Sequence, residues 1–263
     1  MARVSVLMGI YNCAPYLAEA LDSLYAQTFQ DFKIILCEDG STDGTFEIAQ
    51  SFADKHSNIV LIRNERNMGL NYTLNRCLEY ADTEYCARMD GDDISLPTRF
   101  EKEVRFLDEH PEFAIVSSPM EYFDNDGVFR SGKCFAHEPI VKDFAKGTPF
   151  CHAPCMIRKE ALVAVGGYSD EPRLRRVEDY HLWIKMYAQG IRGFMLAEPL
   201  YMMRDDRNAQ YRRNFQNRKN EAYVRYLACK TFKLPVLSYF HCLRPILVGL
   251  LPSRVYSILH RRK

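Results

Sequence analysis

The sequence lacks any long, uninterrupted hydrophobic segment. Its most apolar stretch near the C-terminal end, residues 234–251, is broken by Pro235, His241, Arg244 and Pro245. Because a membrane-spanning helix needs about 20 apolar residues in succession, we expect no span there. The N-terminal residues also lack the apolar core of a signal peptide. The sequence therefore predicts a protein that does not cross the membrane.

Paired cysteine spacings are also missing. The nine cysteines are scattered, and only Cys151 and Cys155 lie close together, with no second pair to complete a zinc site. Several cysteines lie in apolar runs, where a free thiol behaves as a small hydrophobic side chain. We therefore expect reduced cysteines and a cytoplasmic protein.

The chain has little net charge, only +1, but its charges are unevenly distributed. Residues 1–205 contain 22 Lys and Arg against 32 Asp and Glu, whereas residues 206–263 contain 13 against 2. The basic tail is interleaved with aromatic residues but carries no nucleic-acid motif, so we expect no nucleic-acid partner. A basic, partly apolar helical tail favours a helix lying on an anionic membrane surface. The alternative is a helical appendage packed on the body or on a second subunit.

What the sequence does contain is a regular alternation of strand and helix patterns. Short apolar runs at 3–10, 32–37, 58–62 and 84–87 predict strands, the first of them buried, and helical spacing of apolar residues separates them. This alternation predicts an α/β fold with a mostly parallel sheet flanked by helices. The second half is less regular, with a hairpin signal at 124–127.

The predicted strands end next to chemically useful side chains. Tyr11, Asp39, Asn67 and Asp90 each follow a different strand. Because the carboxyl ends of parallel strands meet at one edge, which α/β enzymes use for ligands, we expect these four residues to lie on one rim. Helix N-termini on that edge suit phosphate groups.

Three carboxylates occur within four residues at the fourth strand end, in Arg88-Met89-Asp90-Gly91-Asp92-Asp93. Carboxylates this close repel one another, and a hard cation such as Mg²⁺ or Mn²⁺ relieves the repulsion while binding substrate phosphates. The sequence therefore predicts a divalent-metal site for a phosphorylated substrate. The alternative is an acidic surface turn, since Asp and Gly are common turn formers.

Taken in order, several segments resemble the family-2 glycosyltransferases with the GT-A fold, over about three quarters of the chain. These segments are VSVLMGIYN at 4–12, AEALDSLYAQTFQDFKIILCEDGSTDGT at 18–45, NMGLNYTLN at 67–75, EYCARMDGDDISLPTRF at 84–100, GGYSDEP at 166–172, VEDYHLWIKMYAQG at 177–190 and AEPLYMMR at 197–204. The resemblance implies a GT-A-type, Rossmann-like catalytic domain at 1–205 that transfers a sugar, with inversion, from a nucleotide donor to an acceptor hydroxyl. Its nucleotide-binding half would span about 1–100 and its acceptor half about 101–205.

The resemblance also implies roles for single residues. Asp39 would bind the uracil edge of a UDP-type donor, and Tyr11 would stack on the base. Asp90 and Asp92 match the family's DxD motif, so that one reaches the ribose and one or both bind the metal that bridges the diphosphate. Asp179 matches the acid of the Glu-Asp motif, which is the usual catalytic base.

Asn67 is a further candidate for the donor site, although it also suits a loop-shaping role. The other candidates have structural readings as well. Asp39 would also suit a turn, Tyr11 the core, and Asp179 the first turn of a helix, with Glu178 beside it as another possible base.

The sequence departs from the family pattern in two places. Leu74 stands where the family often has Arg before Asn75, and Asp206 stands where it often has His. The motif and the spans of processive enzymes are absent, which favours the addition of one or a few sugars. We expect a saccharide or lipid-linked acceptor, as in surface polysaccharide or lipopolysaccharide synthesis, and a location at the inner face of the membrane.

Two other functions remain open on the sequence alone. One is a nucleotidyltransferase or another metal-dependent phosphate-transfer enzyme, although a phosphatase would need an acid where Cys37 stands. The other is a non-catalytic, membrane-tethered partner that has kept the fold. The sequence gives no indication of the oligomeric state.

Overall fold

The structure is a computed structural model that describes residues 2–132, 135–205 and 215–250. Strands and helices alternate through the first half of the chain, as the sequence predicts. In order, the elements are β1 (Val4–Ile10), α1 (Ala14–Tyr25), β2 (Phe32–Glu38), α2 (Thr45–Lys55), β3 (Ile59–Arg63), α3 (Leu70–Glu79), β4 (Tyr85–Asp90), β5 (Ile94–Ser95), α4 (Arg99–Glu109), β6 (Ile115–Ser117), β7 (Met120–Asp124), β8 (Gly127–Ser131), β9 (Met156–Arg158), α5 (Lys159–Ala164), α6 (Glu178–Ala188), β10 (Gly193–Met195), β11 (Tyr201–Arg204), α7 (Phe215–Thr231) and α8 (Phe240–Gly249).

A seven-stranded sheet with the order β10-β6-β9-β4-β1-β2-β3 forms the centre of the molecule. The strands β4, β1, β2 and β3 are parallel, and β10 is parallel to β6. Only β9, within the described ranges, is antiparallel to its neighbours in this sheet. The predicted α/β fold with a mostly parallel sheet is therefore confirmed.

The two faces of this sheet have separate hydrophobic cores, because successive side chains of a strand point to opposite faces. Val6 and Met8 of β1 pack with Leu17 and Leu21 of α1. Leu7 belongs to the other core, which contains residues of α3 and α6, including Trp183. Helices thus cover both faces, which explains why the strands read as nearly continuous apolar runs.

A second, four-stranded sheet has the order β5-β11-β7-β8. The hairpin predicted around residues 124–127 is present as β7 and β8. The strand β11 runs parallel to β7 and antiparallel to β5. Because β11 pairs with β5, its end lies beside the loop between β4 and β5, which contains the acidic cluster.

The described part of the basic tail is helical, as expected. Helix α7 buries Val224 and Ala228 against the core that contains α6, and α8 packs on α7. No helix in the described ranges is long and apolar enough to cross a membrane. Asp206 and the last basic residues of the tail lie outside the described residues.

Candidate functional site

Four loops meet at the carboxyl edge of the parallel strands. In the sheet register, Gly9 lies opposite Asp90, Ile10 opposite Glu38, and Glu38 opposite Arg63. The four strands therefore end at nearly the same level. The loops that follow β1, β2, β3 and β4 share one rim, as the strand and helix alternation predicts.

The first two loops are fastened to each other at this rim. Asn12 has a positive φ of 47°. Its side-chain oxygen accepts a hydrogen bond from the Thr42 backbone N–H at 2.9 Å, and its own N–H donates to the Ser41 hydroxyl at 3.1 Å. The preceding Tyr11 is 45% exposed, so its ring is not part of the core. It is a free aromatic surface on the rim, suited to stacking on a planar base.

Asp39 lies at the same edge but is only 4% exposed. Its carboxylate accepts hydrogen bonds from the Asn64 side chain at 2.7 Å and from the backbone N–H groups of Met68 and Gly69 at 2.9 Å each. The observed contacts of Asp39 thus hold the loop between β3 and α3. Asp39 lies directly after β2, as predicted. Its observed hydrogen bonds stabilise the loop between β3 and α3.

The end of that loop faces the start of α6. The exposed Asn67 lines a cavity of about 270 Å³ together with Arg175, Arg176 and Glu178. Residues more than 100 positions apart in the chain are thus brought to one cavity. The sequence did not predict Arg175 or Arg176 as site residues. The residues before the Glu-Asp pair do not reveal which distant parts of the chain will lie beside these arginines.

The acidic cluster lies where β4 ends, as predicted. Asp90 forms an ion pair with the buried guanidinium of Arg88 at 2.5 Å. Burial, followed by the negative charge of Asp90, raises the pKa of Asp92 to about 6. Asp93 is buried, and its carboxylate accepts a hydrogen bond from the Arg204 backbone N–H at 2.7 Å. Asp93 thus connects its loop to β11, whereas Asp90 and Asp92 lie on the rim and are partly exposed.

Asp90 and Asp92 could supply part of the coordination of a divalent cation, with the remaining ligands coming from the substrate and water. Within the described ranges, no three His, Cys, Asp or Glu side chains are grouped as a ready-made metal site. Asp90 and Asp92 are nevertheless close enough for one charge to raise the pKa of the other. Mg²⁺ is commonly held by one or two carboxylates, with phosphate and water oxygens completing its octahedron. The donor set therefore fits a cation that is shared with a phosphorylated substrate.

Two arginines that the sequence did not single out organise this region. The Arg88 guanidinium is buried beside Asp90, and its positive charge opposes the rise in the pKa of Asp179 that is described below. Arg204 stacks on the rings of Tyr16 and Phe123, each 4.3 Å away, and its Nε donates to the Asp92 carbonyl at 3.0 Å. The sequence signal that could have identified Arg88 is its position as a charged residue in a mainly apolar strand.

Asp179 lies in the first turn of α6 and is partly exposed. Burial, followed by the neighbouring charge of Glu178, raises the pKa of Asp179 to about 7. The backbone N–H of Tyr180 and the charge of Arg88 oppose this shift. A carboxyl group with a pKa near neutrality can accept a proton from a substrate and release it again.

The loop before α6 is held by α3 through two amide side chains. The Asn75 amide nitrogen donates to the Tyr168 carbonyl, and its oxygen accepts from the Tyr168 N–H, both at 2.8 Å. The Asn71 amide adds a bond to the Ser169 carbonyl at 2.9 Å. These contacts connect the two halves of the chain and fix the approach to α6.

Asp179 opens on a second cavity, of about 530 Å³, between α6 and α7. Arg176 lines both this cavity and the smaller one beside Asn67. Asp179 and the loop after β3 therefore belong to one continuous region of the surface. Arg88 pairs with Asp90, and its charge also acts on Asp179, so the acidic loop and Asp179 are linked electrostatically.

Comparison with protein families and with curated proteins gives consistent matches. The model of the family described as Glycosyl transferase family 2 matches residues 5–166. The chain is 41% identical to the putative glycosyltransferase EpsE of Bacillus subtilis, over 99% of this chain and 94% of that protein. It is 31% identical to a UDP-Gal:alpha-D-GlcNAc-diphosphoundecaprenol beta-1,3-galactosyltransferase of Escherichia coli, over 80% of this chain and 77% of that protein.

Solved structures with the same fold are also found. S. aureus TarS residues 1–349, crystallised with UDP-GlcNAc, superpose with a TM-score of 0.70 and 22% identity, covering 95% of this chain and 72% of that one. The mannosyltransferase PcManGT of Pyrobaculum calidifontis, in complex with GDP-Man and Mn²⁺, has a TM-score of 0.63 and 18% identity, covering 98% and 79%. At these identities the two structures establish the GT-A fold of this chain.

Proposed function

Since this chain belongs to glycosyltransferase family 2, we propose that it transfers a sugar, with inversion, from a UDP-sugar to an acceptor hydroxyl. The observation that carries this proposal is that the buried Arg88 pairs with Asp90, and that its charge also acts on Asp92 and Asp179, the two carboxyl groups whose pKa values are raised. In this proposal, Asp90 and Asp92 serve the diphosphate and Asp179 serves as the proton acceptor. These are the two features that displacement of a nucleoside diphosphate by an alcohol requires.

The donor nucleotide binds across the rim of the parallel strands in this proposal. Tyr11 stacks on the uracil, while Asp39 holds the loop whose exposed Asn67 contacts the nucleoside. The Asp39 carboxylate has acceptor capacity beyond its three observed bonds, since an ionised carboxylate offers about four lone-pair sites. Asp39 can therefore serve the base and the loop together. UDP-GlcNAc in the TarS crystals supports a UDP-sugar donor.

Asp90 and Asp92 would hold Mn²⁺ or Mg²⁺ against the donor diphosphate, with Asp90 also directed to the ribose. When bound, the cation stabilises the negative charge that develops on the departing nucleoside diphosphate. The Mn²⁺ in the PcManGT complex supports this assignment. The ion pair between Asp90 and Arg88 keeps the acidic loop in place beside it.

Asp179 acts as the general base. Its pKa of about 7 lets it take the proton of the acceptor hydroxyl as that oxygen attacks the sugar on the face opposite the leaving group. A single displacement of this kind inverts the anomeric centre and needs no covalent enzyme intermediate. Asp179 and Glu178 line different cavities, and the cavity of Asp179 offers room for an acceptor.

The acceptor is a lipid-linked saccharide in surface polysaccharide synthesis, as the names of several relatives suggest. One relative acts on GlcNAc-diphosphoundecaprenol, and another is an amylovoran biosynthesis glycosyltransferase of Erwinia amylovora. No observation among the described residues favours the phosphate-transfer alternative. The position where a phosphatase would need an acid is occupied by Cys37, which is buried. The grouped carboxylates equally argue against a partner that has lost catalysis.

The tail brings the enzyme to the cytoplasmic face of the membrane in this proposal. Its short segment from residue 236 to 250 exposes several large apolar side chains, namely Val236, Leu237, Phe240, Leu243, Leu247 and Leu250. Cationic residues occur in the same tail, so an anionic lipid surface would meet both its apolar and its positive groups. Helix α7 lines the cavity of Asp179, so we extend the catalytic unit of 1–205 to include it.

The test is titration calorimetry of UDP with and without Mn²⁺, followed by a transfer assay across UDP-sugars. We expect UDP to bind with Mn²⁺ and to bind at least tenfold more weakly in Asp92→Asn, because a cation ligand is lost. The control is Asp54→Asn, an acid of α2 that pairs with Gln50 away from the rim. Metal-independent binding, or no UDP binding at all, would contradict the proposal.

A further inference from the structure

The cavity between α6 and α7 has an unusual arginine content. Besides Asp179, its walls include Arg176, Arg218 and Arg225, with Glu221 between the last two. Its volume of about 530 Å³ is in the range of ligand sites. Two of the three arginines come from α7, in the basic tail, rather than from the rim that would bind the donor.

Arginines outnumber carboxylates among the residues that line this cavity. Arg225 Nη2 lies 2.8 Å from Glu221, and Arg218 Nη1 lies 3.2 Å from the same carboxylate. Both guanidinium groups thus contact Glu221, while Arg176 is exposed and lines the same cavity. Three arginines face two carboxylates, so the cavity favours an anion that is polydentate.

One donor in this wall lacks a partner. Arg225 is only 6% exposed, and its Nε has no hydrogen-bond partner among the described residues. Its Nη1 makes a long bond of 3.4 Å to the Ala145 carbonyl. A buried donor without an acceptor destabilises the folded protein, and such groups in native structures call for an explanation. A ligand oxygen would satisfy this group.

We propose that this cavity binds the diphosphate of a lipid-linked sugar acceptor, with Arg225, Arg218 and Arg176 as its ligands. The inference rests on the proposed function, since Asp179, which lines the same cavity, would then face the acceptor hydroxyl. The donor diphosphate belongs at the acidic loop, which leaves these arginines for a second diphosphate. Guanidinium groups bind phosphate oxygens in a bidentate manner, which fixes the sugar between the two sites.

The exit for the lipid lies next to the same arginines. Gly249 of α8 packs so closely on Arg218 that a Cβ there would lie 3.0 Å from Arg218 Cγ. The neighbouring Leu247 of α8 and Leu250, which directly follows α8, are exposed. A lipid chain leaving the diphosphate would therefore meet an apolar surface within a turn of the cavity. This arrangement also explains why the basic helix α7 and the apolar helix α8 follow one another in the tail.

The test is calorimetric binding of farnesyl diphosphate, which carries a lipid diphosphate without a sugar, to the full chain with UDP and Mn²⁺ present. We expect binding to the wild type, and at least tenfold weaker binding to Arg225→Gln and to Arg176→Gln. Farnesol, which lacks the diphosphate, should bind far more weakly. Lys230→Gln, which removes an exposed charge from the same helix α7, should bind as the wild type does.

UDP binding to the same samples separates this inference from the proposed function. Normal UDP binding with no binding of farnesyl diphosphate, or with affinities that the two arginine variants leave unchanged, would overturn the acceptor subsite alone. Weaker UDP binding in these variants with unchanged farnesyl diphosphate binding would assign the cavity to the donor and overturn it too. Arg176 is exposed, so its variant remains informative if Arg225→Gln does not fold.

Discussion

At the residue scale, the proposed chemistry depends on one carboxyl group with a raised pKa. Asp179 is partly buried next to a second acid, Glu178, and both effects raise its pKa to about 7. An ordinary aspartate would be almost fully ionised at neutral pH but would be a weak base. The raised pKa makes Asp179 a stronger proton acceptor, at the expense of being partly protonated near neutral pH.

A pH dependence follows from this pKa. The proposed mechanism requires the ionised form of Asp179, so we expect kcat/KM to rise with pH and to reach half of its maximum near pH 7. Replacing Glu178 with Gln removes a neighbouring negative charge, which should lower the pKa of Asp179 and move the midpoint to lower pH. The measurement is kcat/KM from pH 5.5 to 8.5 for both proteins. A rate that falls with rising pH over this range would contradict the assignment.

Single residues were predictable from the sequence only where the local pattern carries their role. Tyr11, Asp90 and Asp179 follow strand ends or open a helix, and the structure places them at the expected positions. The positions of Arg88 and Arg225 beside acids depend on neighbours far away in the chain, which no local spacing reveals. Asp39 was expected at the base, and its observed bonds to the Asn64–Gly69 loop could not be deduced because they require the fold.

At the element scale, buried parallel strands were easy to predict because both of their faces are apolar. The strands β1 to β4 read as continuous apolar runs and lie within three residues of their expected bounds. The strands β5 and β11, with two and four residues, are too short for a periodicity. The antiparallel direction of β9 was also unpredictable, since direction depends on the connections around it.

The contact between two rim loops gives a prediction at this scale. Gly40 has a φ of 72°, and a Cβ there would lie 2.6 Å from the Arg66 backbone. We expect Gly40→Ala to lower the free energy of unfolding by about 2–3 kcal/mol, because strain at positive φ and a backbone clash add together. UDP affinity should also fall, since the loop held by Asp39 would move.

The matched control is Gly127→Ala. Gly127 has a φ of 110°, with no atom within 4 Å of a Cβ, so only the backbone strain of about 1 kcal/mol remains. Urea unfolding measures both variants, and calorimetry measures UDP binding. Equal losses of stability at the two glycines would show that the rim loops do not depend on close contact.

The apolar segment of the tail gives the second prediction at this scale. Phe240 and Leu247 are 64% and 62% exposed, so replacing both with Glu should not disturb the core. We expect at least tenfold weaker binding to vesicles that contain phosphatidylglycerol, because apolar contact is lost and negative charge is added. Vesicle sedimentation measures this, with Val128→Glu on the exposed strand β8 as the control. Unchanged binding of the double variant would exclude this surface.

At the scale of the whole molecule, the site depends on contact between the two halves of the chain. Asn75 and Asn71 of α3 hold the loop before α6, and Arg176 lines a cavity on each side. The fold class, the shared rim and the family were predictable from the order of the motifs. The second cavity was not, because it forms only where α7 folds back on α6.

The central claim is that one molecular surface binds the donor while Asp179 activates the acceptor, and Asp179→Asn tests it most directly. The measurement compares UDP affinity, by calorimetry with Mn²⁺, with the rate of sugar transfer on the same preparation. We predict a UDP affinity within about threefold of the wild type and a transfer rate at least about 10²-fold lower, because only the proton acceptor is lost. Transfer at the wild-type rate, or loss of UDP binding together with transfer, would contradict the account.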